Sequence, residues 1–196
     1  ATADDVPDGE IGEVYVTVAL GGELVLVAQP VTPDVMTYDG AVKAAHDLYY
    51  DGGAAAGYEA KVDPASNLYL IFKCWGYSND IDLAVAPYTI VNDEVIFATV
   101  DVMPIKAGDN IIVSFAGSLA ITLAAETQGG DVTVTATNWV LSMTTFQYSQ
   151  KPYAGAEVRD GSGAALGVTD ENGQLTIPVP ADGIITVGGY AAIRVN

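Results

Sequence analysis

The chain has one cysteine, one histidine and only seven Lys+Arg side chains among 196 residues. A lone Cys74 makes no internal disulfide. Set in an apolar run beside Trp75, it reads as a small buried hydrophobe. Seven basic against 25 acidic side chains give a net charge of −18. That balance excludes nucleic acid as a partner and opposes anionic membrane surfaces. No apolar run is long enough to cross a bilayer as a helix. The lone His46 stands beside Asp47, and no Gly-x-Ser-x-Gly or catalytic Cys context accompanies it. It is expected at the surface or in an interface, and the chain is not expected to be an enzyme. Charged residues of both signs make up 16%, below the ~25% of ordinary globular chains. So little charge leaves surface available for burial against other molecules.

What is present is mostly β. Twenty-one glycines punctuate short runs rich in Val, Thr and Tyr. One stretch, Thr37 to Tyr50 (TYDGAVKAAHDLYY), predicts a helix. Thr37 is its N-cap, Asp39 suits the positive end of its dipole, and Gly52-Gly53 closes it. Ala41, Val42, Ala45, Leu48 and Tyr49 recur at spacings of three and four and form its apolar stripe. A helix this short needs a sheet to lie on.

The flanking segments supply one. Ile11 to Leu20 alternates, with Val14, Val16, Val18 and Leu20 on one side and Tyr15, Thr17 and Ala19 on the other. Gly21-Gly22 turns it into Glu23 to Ala28 as a hairpin. Asn67 to Trp75 reads as a central strand, and Ala84 to Val91, interrupted by Pro87, as an edge strand or an irregular segment. Glu94 to Val102 and Ile111 to Phe115 follow.

Composition changes near residue 115. Residues 1–114 hold 18 acidic and 4 basic side chains, residues 115–196 only 7 and 3. The second part has no plausible helix. Its expected strands are Ser118 to Ala125, Asp131 to Leu141, Thr144 to Tyr148, Ala154 to Arg159, Ala165 to Thr169, Gln174 to Val179, Gly183 to Val187 and Ala191 to Val195. That series predicts a β-sandwich. The reading is therefore a mainly β chain: an arm over 1–12, a helix-on-sheet (α+β) domain over 13–114, and an Ig-like sandwich over 115–196.

Two resemblances attach to these segments. Pro152 to Pro180, with Gly155-Ala156-Glu157-Val158, Asp160-Gly161-Ser162-Gly163 and Thr169-Asp170-Glu171-Asn172-Gly173-Gln174-Leu175-Thr176, resembles the prealbumin-like modules of bacterial surface proteins. These include collagen-adhesin B-type repeats and carboxypeptidase regulatory-like domains. The resemblance implies a stalk or spacer, and in some such modules a Lys–Asn isopeptide bond, for which Lys151, Asn196 and the acid Glu157 are the residues here. VTVALGGELVLVAQPVT, TYDGAVKAAHDLYYDGGAAAGY and KAGDNIIV are similar to the β-grasp domain of cobalamin carriers. That similarity implies a corrinoid-type ligand.

The remaining candidates are surfaces. Asp4, Asp5, Asp8 and Glu10, or Asp80 and Asp82, have the hard oxygen ligands that calcium takes; otherwise no cofactor is expected. Asp160 and Asp170 sit in hairpin turns that need Asp and Gly for the backbone itself. Among eleven Tyr and two Trp, the aromatics Tyr49, Tyr50, Tyr58, Tyr69, Trp75, Tyr77 and Tyr88 gather in the first part, as a contact surface for a glycan or another subunit. The start Ala1-Thr2-Ala3 without methionine reads as a mature form after loss of a secretion signal. Its acidic arm has no apolar pattern that docks it on its own domain, so it is expected to contact something else. The expectation is an extracellular or cell-surface bacterial protein that works structurally or in adhesion. It would join copies of itself or other surface proteins as a pilus-like filament, by strand addition through Ile11, Val14, Val16, Val18 and Leu20. The alternative is a secreted module for a corrinoid or glycan.

Overall fold

A computed structural model of the chain describes residues 10–78, 87–115, 119–142, 144–145 and 147–195. Strands β1 (Val14–Leu20) and β2 (Glu23–Val31) form the expected hairpin. Helix α1 (Tyr38–Tyr49) follows, then a short second helix α2 (Gly53–Gly57) where the sequence predicts only a loop. Strands β6 (Tyr88–Val91), β7 (Glu94–Ile96) and β8 (Asn110–Phe115) complete a five-stranded sheet ordered β2-β1-β8-β6-β7. The first and last strands, β1 and β8, run parallel side by side in its middle. Hairpin, crossing helix and parallel central pair give a β-grasp-like order.

Alternation explains how this sheet is covered on both faces. Val14, Val16, Val18, Ile111 and Val113 pack with Ala41, Val42 and Ala45 of α1 in one core. Ile112, between Ile111 and Val113, points the other way into a second core. Thr17, also on that second face, is buried; it accepts the Ala28 N–H at a bulge of β2 and donates to the Ala192 carbonyl.

Helix α1 begins as its sequence demands. Thr37 Oγ1 accepts the Gly40 N–H, and the Met103 and Val100 carbonyls accept those of Tyr38 and Asp39. Its free first-turn donors are thereby used. The buried stripe is rotated from the expected one: Tyr38, Ala41, Val42, Ala45 and His46 lie inside, while Leu48 and Tyr49 face out. Tyr38 starts the stripe one turn early, and by the last turn Tyr49 has reached the rim, where its hydroxyl donates to Pro30 on the edge strand β2.

The expected central strand over 67–75 is instead β4 (Tyr69–Cys74), the middle of a separate three-stranded sheet with β3 (Glu59–Val62) and β5 (Tyr77–Ser78). Its apolar run is genuine, but only Ile71 and Cys74 are fully buried, against the α1 core.

The rest is a sandwich. Strands β9 (Ala120–Gln128), β10 (Asp131–Leu141), β11 (Tyr148–Pro152) and β14 (Gln174–Pro178) make one sheet; β12 (Glu157–Asp160), β13 (Ala165–Val168), β15 (Ile184–Val187) and β16 (Ala191–Arg194) make the other. Val132, Val134 and Ala136 point inward, as their alternation predicts, and meet Val158, Ile185, Val187 and Ile193. The same core contains Ile90, Val95 and Ile112 of the five-stranded sheet. The change of composition at 115 therefore marks a junction in the chain, across which packing is continuous.

Polar contacts reinforce this junction. The Asn110 amide meets the Arg194 backbone as a neighbouring strand would, accepting its N–H at 2.7 Å and donating to its carbonyl at 3.2 Å. The Arg194 guanidinium lies over the Tyr15 ring and donates to the Ala28 carbonyl. Asn110→Ala is expected to cost about 1–2 kcal/mol, because it strips partners from a partly buried backbone pair. The shift of the urea midpoint measures it.

Candidate functional site

Two places gather chemistry-bearing side chains. The first surrounds His46. Its position on α1, four residues after Val42, lets Nδ1 meet the Val42 carbonyl at 2.7 Å, while Nε2 lies 2.9 Å from the Trp75 N–H. The carbonyl requires a donor and the amide requires an acceptor, so the ring is neutral with its proton on Nδ1. Trp75, Tyr58 and Tyr50 stand around it at centroid distances of 4.8, 5.2 and 5.7 Å. Space there is fully used. A Cβ on Gly57 would strike the Tyr50 ring and His46, and one on Gly76 would strike the Tyr50 hydroxyl.

The expectation of a surface or interfacial histidine is thus corrected: His46 is fully buried. Burial holds its pKa below the ordinary value. Both ring nitrogens are engaged by backbone groups, which leaves neither to take a proton from a substrate. Beside it, Tyr58 donates to Asp39 at 2.8 Å, and Asp39 pairs with Lys43 at 2.6 Å. Burial, followed by the Asp39 charge, pushes the Tyr58 hydroxyl up. Burial alone pushes up the Cys74 thiol, which keeps it protonated. The arrangement is a packed structural cluster.

The predicted aromatic surface is therefore divided. Tyr50, Tyr58 and Trp75 wrap His46. Tyr77 packs edge-on against Phe115. Tyr49 lies at the helix rim, Tyr69 is half-buried against the α1 core, and Tyr88 is half-buried beside the sandwich core.

The assembly strand is corrected too. β1 is hydrogen-bonded on both edges, to β2 and β8, and Val14, Val16 and Val18 are wholly buried under α1. Leu20 is half-buried at its end, and Ile11 lies outside the strand and exposed. A strand with both edges paired inside its own sheet offers none to a neighbour.

Asp4, Asp5, Asp8, Asp80, Asp82 and Asn196 lie outside the described residues; Glu10 is exposed. Among the described residues no three His, Cys, Asp or Glu side chains are grouped to hold a metal. The Asp160 and Asp170 carboxylates close their turns as expected. Asp160 accepts from Ser162 and Ala164, Asp170 from Asn172 and Gln174. These bonds hold both carboxyls below the usual range, the Ser162 hydroxyl leading for Asp160 and the Gln174 N–H for Asp170. Of the isopeptide residues within the described part, Lys151 is exposed on β11, and Glu157 is exposed and pairs with Arg159. Lys151 and Pro152 instead discourage another strand from pairing with β11.

The second place was not visible from any single segment. β7 stops at Ile96, so the next residue, Phe97, leaves the sheet and is 68% exposed. Its ring lies 4.9 Å from that of Tyr148, tilted by 33°. Tyr148 pairs with Leu141 across β10 and β11, and its ring meets Trp139 edge-on at 6.2 Å. Trp139 is itself fixed by donating to Thr122. Burial and the neighbouring Tyr88 push the Tyr148 hydroxyl up to about 12. Phe97, Leu141, Gln147 and Tyr148 line a hollow of about 580 Å³. This aromatic shelf is open, uncharged and rigidly backed. A smaller hollow of about 400 Å³ lies along β9 and β16, but the Asn110 and Arg194 groups on it are already engaged with each other.

Comparison with protein-family models, with curated proteins and with solved structures found no match.

Proposed function

We propose that the chain is a non-catalytic extracellular or cell-surface protein that works by recognition, with the Phe97–Tyr148 shelf as its contact surface. One observation carries this reading. A phenylalanine left 68% exposed is held in place by a second ring and backed by a third, beside a hollow of ligand size. Rigid aromatic anchors over a fixed base are what binding surfaces use. The strongly acidic, weakly charged composition and two sheet-rich halves that share the sandwich core are consistent with a protein that holds its shape outside the cell.

Phe97→Ser tests it. The exposed ring contributes little to the core, so the unfolding midpoint is expected to stay within about 0.5 kcal/mol of wild type. Binding of the labelled chain to an array of glycans and extracellular-matrix proteins is expected to disappear. An array on which both chains give the same signals, or none, sinks the reading.

A second reading, self-assembly into a filament, is favoured by the outward end of α1, where Leu48 is 63% and Tyr49 40% exposed. On this reading copies meet through the helix end and leave β1 in place. Light scattering and electron microscopy are expected to show large species that Leu48→Glu converts to a 20.3 kDa monomer. A wild-type monomer at all concentrations removes this reading.

A further inference from the structure

We infer that the shelf takes a neutral pyranose sugar, an inference that rests on the recognition reading above. The lining comes first. None of Phe97, Leu141, Gln147 and Tyr148 carries a charge, on a chain whose net charge is −18. An anionic ligand, or a second copy of the same acidic chain, approaches against that field, whereas a neutral ligand does not.

Geometry narrows the class. The two rings are tilted by 33° with centroids 4.9 Å apart, close enough that each covers part of the other, so the pair offers one open face, that of the 68% exposed Phe97. A flat aromatic ligand is held best between two faces; here it would leave its other face in water. A pyranose suits one side only. Its axial C–H face lies on the open face of Phe97, and its equatorial hydroxyls remain solvated. Gln147 is exposed at the rim, and its amide supplies both donor and acceptor to such hydroxyls. The shelf is also pre-formed: Tyr148 is braced by Trp139, which is locked on Thr122. Little ordering is then lost on binding.

A one-sided site of this size is weak. The expected Kd is on the order of 1 mM for a monosaccharide glycoside, and tighter for a disaccharide that also reaches Leu141 and Gln147 of the hollow. Weak single sites of this kind act through many copies, as on a cell surface facing a polysaccharide.

The test uses the full chain labelled with fluorophenylalanine. There are four phenylalanines, and Phe97 is assigned by its loss in Phe97→Ala. The probes are methyl β-glucopyranoside, methyl α-mannopyranoside, cellobiose, lactose and methyl glucuronide. Saturable movement of the Phe97 signal by a neutral probe is expected, with the glucuronide at least about 3-fold weaker because of the field it meets. Gln147→Ala, also on an exposed side chain, is expected to weaken binding about 3-fold, and Phe97→Ala at least about 10-fold by Trp139 fluorescence. If no neutral probe moves the Phe97 signal up to about 50 mM, the sugar assignment is overturned. It is equally overturned if the glucuronide binds best. In either case the array with Phe97→Ser separates the two ideas. Partner signals that still depend on Phe97 keep the shelf as a recognition surface for another class of ligand. Signals indifferent to Phe97 remove both.

Discussion

His46→Ala is expected to lower stability by about 3 kcal/mol at pH 7, among the largest effects of any single substitution in the first half. Two losses combine. The ring fills space between Tyr50, Tyr58 and Trp75, and the glycines beside it are already in tight contact, so the surroundings have little room to collapse. The Trp75 N–H also loses its acceptor. Urea unfolding measures the sum, and a loss below about 1 kcal/mol would show that the cluster relaxes around the gap.

The same ring sets a pH dependence whose sign is determined. In the unfolded chain a histidine titrates near 6.5; in the folded chain burial lowers the value. Below about 6.5 the unfolded chain therefore binds a proton that the folded chain refuses. The contribution of His46 is complete above that pH and declines as pH falls toward the folded pKa. Protonation would also put an N–H against the Trp75 N–H. The wild-type minus His46→Gln difference in unfolding free energy between pH 7.5 and about 5 isolates this from carboxylate titration. A flat difference would contradict a buried neutral ring.

Ile112→Ala is the second large effect, expected at about 3–4 kcal/mol. Ile112 is fully buried, and it belongs to a strand of the first sheet while packing in the core of the sandwich. Its loss is therefore expected to weaken both halves together. Each half holds one tryptophan, Trp75 and Trp139. Single-tryptophan variants are expected to report coincident unfolding transitions, in wild type and in Ile112→Ala alike. Separate midpoints would show two domains that merely touch. By the same reasoning, residues 115–196 expressed alone lack Ile90, Val95 and Ile112 and expose the core those residues cover.

Much of the fold was legible because local rules and tertiary packing agree. Asp131–Thr137 alternates strictly within the expected strand Asp131–Leu141, and β10 has those bounds. Thr37 and the alanines of α1 announce a capped helix that lies close on a sheet, and it does. Errors arise where a local signal has more than one tertiary use. The apolar run over 67–75 looks central whether it enters the large sheet or a small one beside it. Thr144 to Tyr148 reads as a strand, yet the pairing begins at Tyr148 and continues to Pro152. His46 looks solvated beside Asp47 because the group that satisfies Nε2 is a backbone amide 29 residues away. The aromatic shelf draws on residue 97, residues 139–141 and residues 147–148, three segments whose convergence no periodicity announces. Its one local clue is Phe97, which keeps the parity of the buried Val95 but falls just past the end of β7.

The parallel pair β1 and β8 has a temporal consequence. Parallel neighbours cannot be joined by a tight turn, and here the partner of Tyr15 is Asn110. Thr17, on the same strand, makes its other contact with Ala192, 175 residues along the chain. The face of the large sheet away from α1 is thus covered by the last strand of the sandwich, and that face waits for the most distant residues. High contact order of this kind slows folding. During synthesis the core under α1, whose residues all precede 116, is expected to close first, while the opposite face of the sheet, with Ile90, Val95 and Ile112, stays uncovered until the sandwich strands up to Ile193 are made.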